Sequence, residues 1–180
     1  MLMDAERALL LAIDFQEKLA PAIDQGPAAV ATARRLLEIA RLLRVPCLAT
    51  EQYPAGLGAT LPQLAELLPA GATFEKICFS AGKEPPIVEA LAASGRTQLV
   101  VMGMEAHVCV LQSALVLADL GHEVFVVADA VGSRRAENKA LALERMARAG
   151  LTLVSAEMVA FEWLGRAATD DFRRALPLLK

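Results

Sequence analysis

Three side chains in this sequence could carry covalent chemistry if the fold brought them together: Cys109, Asp14 and Lys76. Cys109 lies in the stretch Val100 to Asp119, VVMGMEAHVCVLQSALVLAD, which predicts a buried strand ending at Gly103, a tight turn and a helix starting near His107. A thiol in a first helical turn faces unpaired backbone N–H groups and the positive end of the helix dipole, both of which favour the thiolate. The same pattern also fits a cysteine that only fills space in the core. Asp14 closes the apolar run Ala8 to Ile13, where it is either a functional carboxylate or a cap or turn residue. Lys76 stands near the end of a third apolar segment, Ala72 to Ile77. A lysine among apolar neighbours needs a carboxylate partner, whereas one at an exposed strand end needs none.

The elements that must position these residues follow from periodicity. Continuous apolar runs at Ala8 to Ile13, Val45 to Thr50, Ala72 to Ile77, Gln98 to Met102, Glu123 to Ala128 and Leu151 to Val154 predict six short strands buried on both faces. Between them, Pro27 to Leu43, Leu61 to Leu68, Pro85 to Ala93, the Cys109 segment and Arg135 to Ala149 predict helices. The remainder from Glu157 predicts two more, the first bearing Trp163. Such alternation specifies an α/β fold: a single three-layer αβα domain over residues 1–180, with a doubly wound, mostly parallel sheet in the order 3-2-1-4-5-6. The switch point of that order lies between strands one and four and brings Asp14 and Cys109 together at the carboxyl ends of the strands.

Composition narrows the function. The chain of 180 residues is 56% hydrophobic and 4% aromatic, and its formal net charge is -3 with scattered cations, so no footprint for nucleic acid is present. Cysteines 47, 78 and 109 have no CxxC spacing, and an odd count points to a reducing, cytoplasmic compartment. The apolar run Ala8 to Ile13 is too short to span a membrane. GLGATL lacks the third glycine of a dinucleotide fingerprint, and SAGKEPP lacks the first glycine and the Ser or Thr of a phosphate-binding loop. The two histidines, His107 and His122, form no metal-ligand pattern, so neither metal nor cofactor is expected.

A carboxylate beside a thiol can take its proton and return it to a leaving group, with a lysine favouring the ionised forms. That arrangement suits cleavage of a small amide or related C–N substrate through a thioester. Backbone N–H groups in the turn Gly103 to Val108 are placed to hold the oxyanion, with Met104, Glu105 and Cys109 as its residues. His107 is two residues from Cys109 and points elsewhere on a helix, which makes it a pocket or surface residue and not the base. Phe15, Gln52, Tyr53, Phe79 and His107 are the expected substrate contacts, although the loop at Tyr53 also fits a plain turn. A silent interaction scaffold and a redox-sensing thiol are the alternative functions.

The segments LLAIDFQEKLAPAI, TEQYPAGLG, FEKICFSA and GMEAHVCVLQSALVLADLGHEVFVVADAVGSR, with EMVAFEWLG near the end, resemble the isochorismatase-like cysteine hydrolase family. The resemblance covers nearly the whole chain. It implies Asp14 as general base, Lys76 as electrostatic partner, Cys109 as nucleophile, and a cis peptide at Met104-Glu105. Metal-binding nicotinamidases of that superfamily carry Asp and His residues where this chain has Gln52-Tyr53-Pro54, and true isochorismatases lack the cysteine. The resemblance is therefore to a metal-free branch with an EQYP loop. Self-association as a dimer or tetramer is also implied, with the apolar segment around Phe161 and Trp163 as the expected contact.

Overall fold

A computed structural model describes residues 1–179. Its six strands are β1 (Ala8–Ile13), β2 (Cys47–Gln52), β3 (Thr73–Lys76), β4 (Gln98–Met104), β5 (Glu123–Gly132) and β6 (Thr152–Val154). They form one parallel sheet in the order β3-β2-β1-β4-β5-β6, as the alternation of apolar runs and helices predicts. Strand residues alternate between two separate cores. Leu10, Ala12, Val100, Met102, Phe125 and Val127 face α1 (Gly26–Leu43). Leu9, Leu11, Ile13, Leu99, Val101, Val124 and Val126 face the opposite layer of α4 (Pro85–Ala93), α5 (Leu111–Asp119) and α6 (Ala136–Arg148). A period of two along each strand, with both faces covered, is why the runs are apolar throughout.

The remaining helices are the short α2 (Pro54–Leu57) and α3 (Pro62–Ala65), followed near the end by α7 (Ala156–Leu164) and α8 (Asp170–Ala175). The helix expected over Leu61 to Leu68 is thus one turn only. Strand β5 runs four residues beyond Ala128, with a register shift between Val101 and Gly103 of β4. Asp129 sits at that irregularity, exposed, and accepts a hydrogen bond from the Ala156 N–H at the start of α7. The carboxylate marks a bulge and not a strand end.

The contact between β1 and β4 is closest where it matters for the site. Gly103 pairs with Ile13 and has φ 143°, and a Cβ there would lie 2.2 Å from the Ile13 carbonyl oxygen. Only glycine fits. Gly103→Ala is expected to cost about 3 kcal/mol or more, combining a strained backbone with overpacking between the two central strands. The check is urea denaturation: the midpoint should fall with the slope unchanged, and an unmoved midpoint would show that the strands separate without cost.

Candidate active site

At the carboxyl ends of β1, β2 and β3 the chain places four polar side chains in a nearly solvent-free cluster. Asp14 is fully buried and follows β1 in a left-handed conformation, φ 54°, which aspartate tolerates better than most residues. Its N–H still bonds to the Thr50 carbonyl at 3.0 Å, so β1 and β2 stay in register up to the turn. Thr50 Oγ1 donates to Asp14 Oδ1 at 2.6 Å. Lys76 is 2% exposed and reaches from edge strand β3 past the end of β2, a span of roughly 10 Å at ordinary strand spacing, which only a long side chain can cover. Its Nζ lies 2.8 Å from Asp14 Oδ2. It donates hydrogen bonds to Gln52 Oε1 at 2.6 Å and to the Phe79 and Cys78 carbonyls at 3.1 and 3.4 Å.

Cys109 arrives from the other side, after β4. The peptide between Met104 and Glu105 is cis, and Ala106–Val110 forms a wide π-type turn before α5 begins at Leu111. Such turns are frequent at functional sites. Cys109 is 5% exposed, with Sγ 3.9 Å from Gln52 Oε1. The turn is tied to the segment after β5. The buried Glu105 carboxylate accepts from the Arg134 N–H at 2.9 Å and from Arg134 Nε at 3.1 Å. His107 Nδ1 lies 2.9 Å from Ser133 Oγ, and its Nε2 lies 3.4 Å from Asn138 Nδ2. The ring therefore addresses the loop leading into α6, in keeping with its offset of two residues from the cysteine.

The electrostatics differ from the expectation of a ready thiolate. Burial pushes the Cys109 thiol up to about 12, and the Asp14 charge adds to this while Lys76 opposes it. Asp14 is likewise held above its ordinary value by burial, against the pull of the Lys76 charge. In a site this dry, desolvation outweighs the helix-start field, because both charged forms lose their water. The resting cysteine is a thiol next to a carboxylate of increased basicity. Such a pair can transfer a proton at the moment of attack without holding a standing thiolate.

Of the other expected contacts, Gln52 is 9% exposed and sits inside the cluster between Lys76 and Cys109. Tyr53 and Phe79 are 56% and 52% exposed on the rim, joined by Ile77 at 71%. Phe15 is 1% exposed: the left-handed turn at Asp14 sends it into the core on the α1 side. Trp163 is also turned inward with Val159 and Ala160, leaving Phe161, tilted against Phe172 at a centroid distance of 6.4 Å, on the surface of α7. Sequence reading missed Gln16, which is fully buried and holds the end of β2 through its side-chain amide. A buried glutamine two residues after a strand-end acid, in the polar run Gln16-Glu17-Lys18, gives no periodic signal. Among the described residues, no group of three or more His, Cys, Asp or Glu side chains is arranged to hold a metal ion.

Known proteins share this arrangement of elements. A family model described as the isochorismatase domain matches residues 8–158. Isochorismatase domain-containing protein 2 of Macaca fascicularis is 39% identical over 175 residues, 96% of this chain and 83% of the relative. Isochorismatase domain-containing protein 2A of Mus musculus is 36% identical over 178 residues, 97% and 84% of the respective chains. Among solved structures, one described as the MAR1 ribonuclease from Caenorhabditis elegans is similar with a TM-score of 0.93 and 36% identity, covering 99% of this chain and 92% of that one. The YcaC gene product from Escherichia coli, described as an octameric hydrolase of unknown specificity, has a TM-score of 0.93 and 26% identity, covering 99% and 89%.

Proposed function

The chain belongs to the isochorismatase family, and from that premise we propose that it is a cysteine hydrolase of small amides or related C–N compounds, with Asp14, Lys76 and Cys109 as its catalytic residues. The family's hydrolase fold supports the general class, and the finer reading rests on one observation. The Asp14 carboxylate is fully buried between the Lys76 ammonium, 2.8 Å from Oδ2, and the Cys109 thiol, on which its charge bears.

In this reading Asp14 takes the thiol proton as sulfur attacks the substrate carbonyl, forming the C–S bond. Backbone N–H groups of the turn carrying Met104, Glu105 and Cys109 stabilise the oxyanion. Collapse breaks the C–N bond, and protonated Asp14 gives its proton to the departing amine. Water, deprotonated by Asp14, then hydrolyses the thioester and restores the thiol. Lys76 keeps the buried carboxylate from remaining permanently protonated. Gln52 commits Nε2 to the Ile77 carbonyl at 2.8 Å and Oε1 to Lys76, which supports chemistry without a metal at the end of β2. Tyr53 and Phe79 flank the entrance as substrate contacts, and His107 steadies the nucleophile turn.

Incubation with a panel of small amides, followed by mass spectrometry, should reveal an acyl adduct on Cys109. The relative described as a ribonuclease puts RNA in the same panel, where the thioester reading expects no cleavage. The pH profile is a second check. Asp14 must be ionised to act, and burial raises its carboxyl above the ordinary 3.8. Activity is therefore lost as pH falls through a midpoint above that value, and kcat/KM still flat at about pH 4 would remove Asp14 as the base.

Self-association through exposed apolar side chains, with Phe161 of α7 as a contact, belongs to the same proposal as a dimer or tetramer; the octameric description of YcaC adds a larger assembly for sizing to distinguish. The three free cysteines support a reducing, cytoplasmic setting. Among the described residues, no helix is long and apolar enough to cross a membrane.

A further inference from the structure

We infer that Glu84 is a positioning residue: it binds the outward N–H groups of the loop after β3 and so aims that loop's carbonyls inward, where they hold the Lys76 ammonium against Asp14. The inference rests on the reading of Lys76 as the electrostatic partner of Asp14 in catalysis.

The Lys76 side chain is 2% exposed, so the acceptors for its three ammonium protons must come from the protein. Asp14 Oδ2 at 2.8 Å, Gln52 Oε1 at 2.6 Å and the Phe79 carbonyl at 3.1 Å make a complete set, with the Cys78 carbonyl at 3.4 Å beside them. The Ile77 carbonyl faces the same cluster and accepts from Gln52 Nε2 at 2.8 Å. Successive carbonyls of an extended strand point to alternate sides, so three in a row toward one cluster require a bend over 77–79.

The core does little to hold that bend. Ile77 and Phe79 are 71% and 52% exposed, Cys78 is exposed as well, and the loop continues from β3 at the edge of the sheet. Glu84 holds it from outside. One carboxylate oxygen, Oε1, accepts from the Ile77 N–H at 2.9 Å and from the Cys78 N–H at 2.7 Å. Two successive N–H groups turned the same way are a ready seat for an anion. Glu84 occupies the N-cap position of α4, yet this oxygen reaches back to the loop and not onto the helix it precedes. Its carboxyl is held below the ordinary value, first by the Cys78 N–H and then by the Ile77 N–H, with the Lys76 charge a smaller pull. The footing of Glu84 is tied to α5, the helix that follows the Cys109 turn: Ser80 Oγ donates to the Gln112 carbonyl at 3.2 Å, and the Ala81 N–H donates to Ser113 Oγ at 2.8 Å. The helix behind the cysteine and the loop around the lysine therefore share one frame.

The test is acetylation of the full chain by the N-hydroxysuccinimide ester of acetic acid, with peptide mapping to compare Lys76 with the exposed Lys18. In the unsubstituted protein Lys76 should react at least about 100-fold more slowly than Lys18. Glu84→Ser keeps a good cap for α4 but is too short to reach the loop. It is expected to raise the Lys76 rate about tenfold or more and to lower amide turnover by a similar factor. Glu84→Gln still offers Oε1 to both N–H groups and should stay within about threefold of the unsubstituted protein in both measurements. A folded Glu84→Ser protein with Lys76 protected as before overturns the inference, whatever its Tm, and so does an uncovered Lys76 with turnover unchanged. Equal loss of protection in Glu84→Gln overturns it too. If circular dichroism shows that Glu84→Ser does not fold, Glu84→Asp, also a helix cap and one methylene shorter, decides by the same outcomes. Failure of the underlying reading looks different: no amide would give turnover or an adduct on Cys109 in the unsubstituted protein, while the protection of Lys76 would still respond to Glu84.

Discussion

Cys109→Ser is expected to lower amide turnover by on the order of 10⁴-fold or more and to abolish the covalent adduct, while the fold is retained. The serine hydroxyl is a far weaker acid than the thiol, and Asp14, even with its basicity raised by burial, cannot remove that proton as sulfur chemistry allows. Structural loss should be small, because a hydroxyl keeps a polar hydrogen in place of the thiol's and oxygen is the smaller atom. The measurement pairs turnover on the responding amide with the thermal midpoint. An unmoved midpoint ties the loss to chemistry and not to unfolding, and turnover within tenfold of the unsubstituted protein would remove the nucleophile role from Cys109.

The second large effect is on stability. Lys76→Met leaves the Asp14 carboxylate fully buried with only neutral partners, Thr50 and the Cys109 thiol, and breaking a buried pair in this way costs about 3–5 kcal/mol. For a chain of this size that corresponds to a fall in Tm of roughly 6–20 °C. The pH dependence has a definite sign. Without Lys76, the Asp14 carboxyl is raised further above its unfolded value. The stability it contributes is then full below the ordinary 3.8 and lost as pH rises through the raised folded value. The gap between the variant and the unsubstituted protein should therefore widen from acid toward neutral pH. Asp14→Asn in the Lys76→Met background removes the stranded charge and should recover much of the loss at neutral pH. A single variant as stable at pH 7 as the unsubstituted protein would show that the pair contributes nothing to holding the fold.

Glu105 and His107, on the turn that carries Cys109, are anchored to Arg134, Ser133 and Asn138, so the placement of the Cys109 thiol depends on the segment after β5. Segments 15–18 and 57–61 are stitched together by the Glu17, Lys18 and Leu61 N–H groups, which makes the rim after β2 part of the β1 end. The exposed Tyr53 thereby stands on a loop whose base is hydrogen-bonded to the β1 end.

The layers, the strand order and the approach of Asp14 to Cys109 are legible in the apolar pattern of the chain. Apolar runs of strand length, alternating with helices, leave few ways to bury both faces of a parallel sheet, and strand ends at its switch point must converge. Tertiary structure alone decided the state of the site. Cys109 is held as a thiol by its burial beside Gln52 and Asp14, and no local pattern reports how dry a helix start will be. Trp163 turns inward and Gln16 becomes a strut because each answers to partners distant in sequence, Gln16 to residues 36 and 42 positions away. Periodicity is a local property of the chain, whereas desolvation and cross-strand hydrogen bonds exist only once the elements have packed.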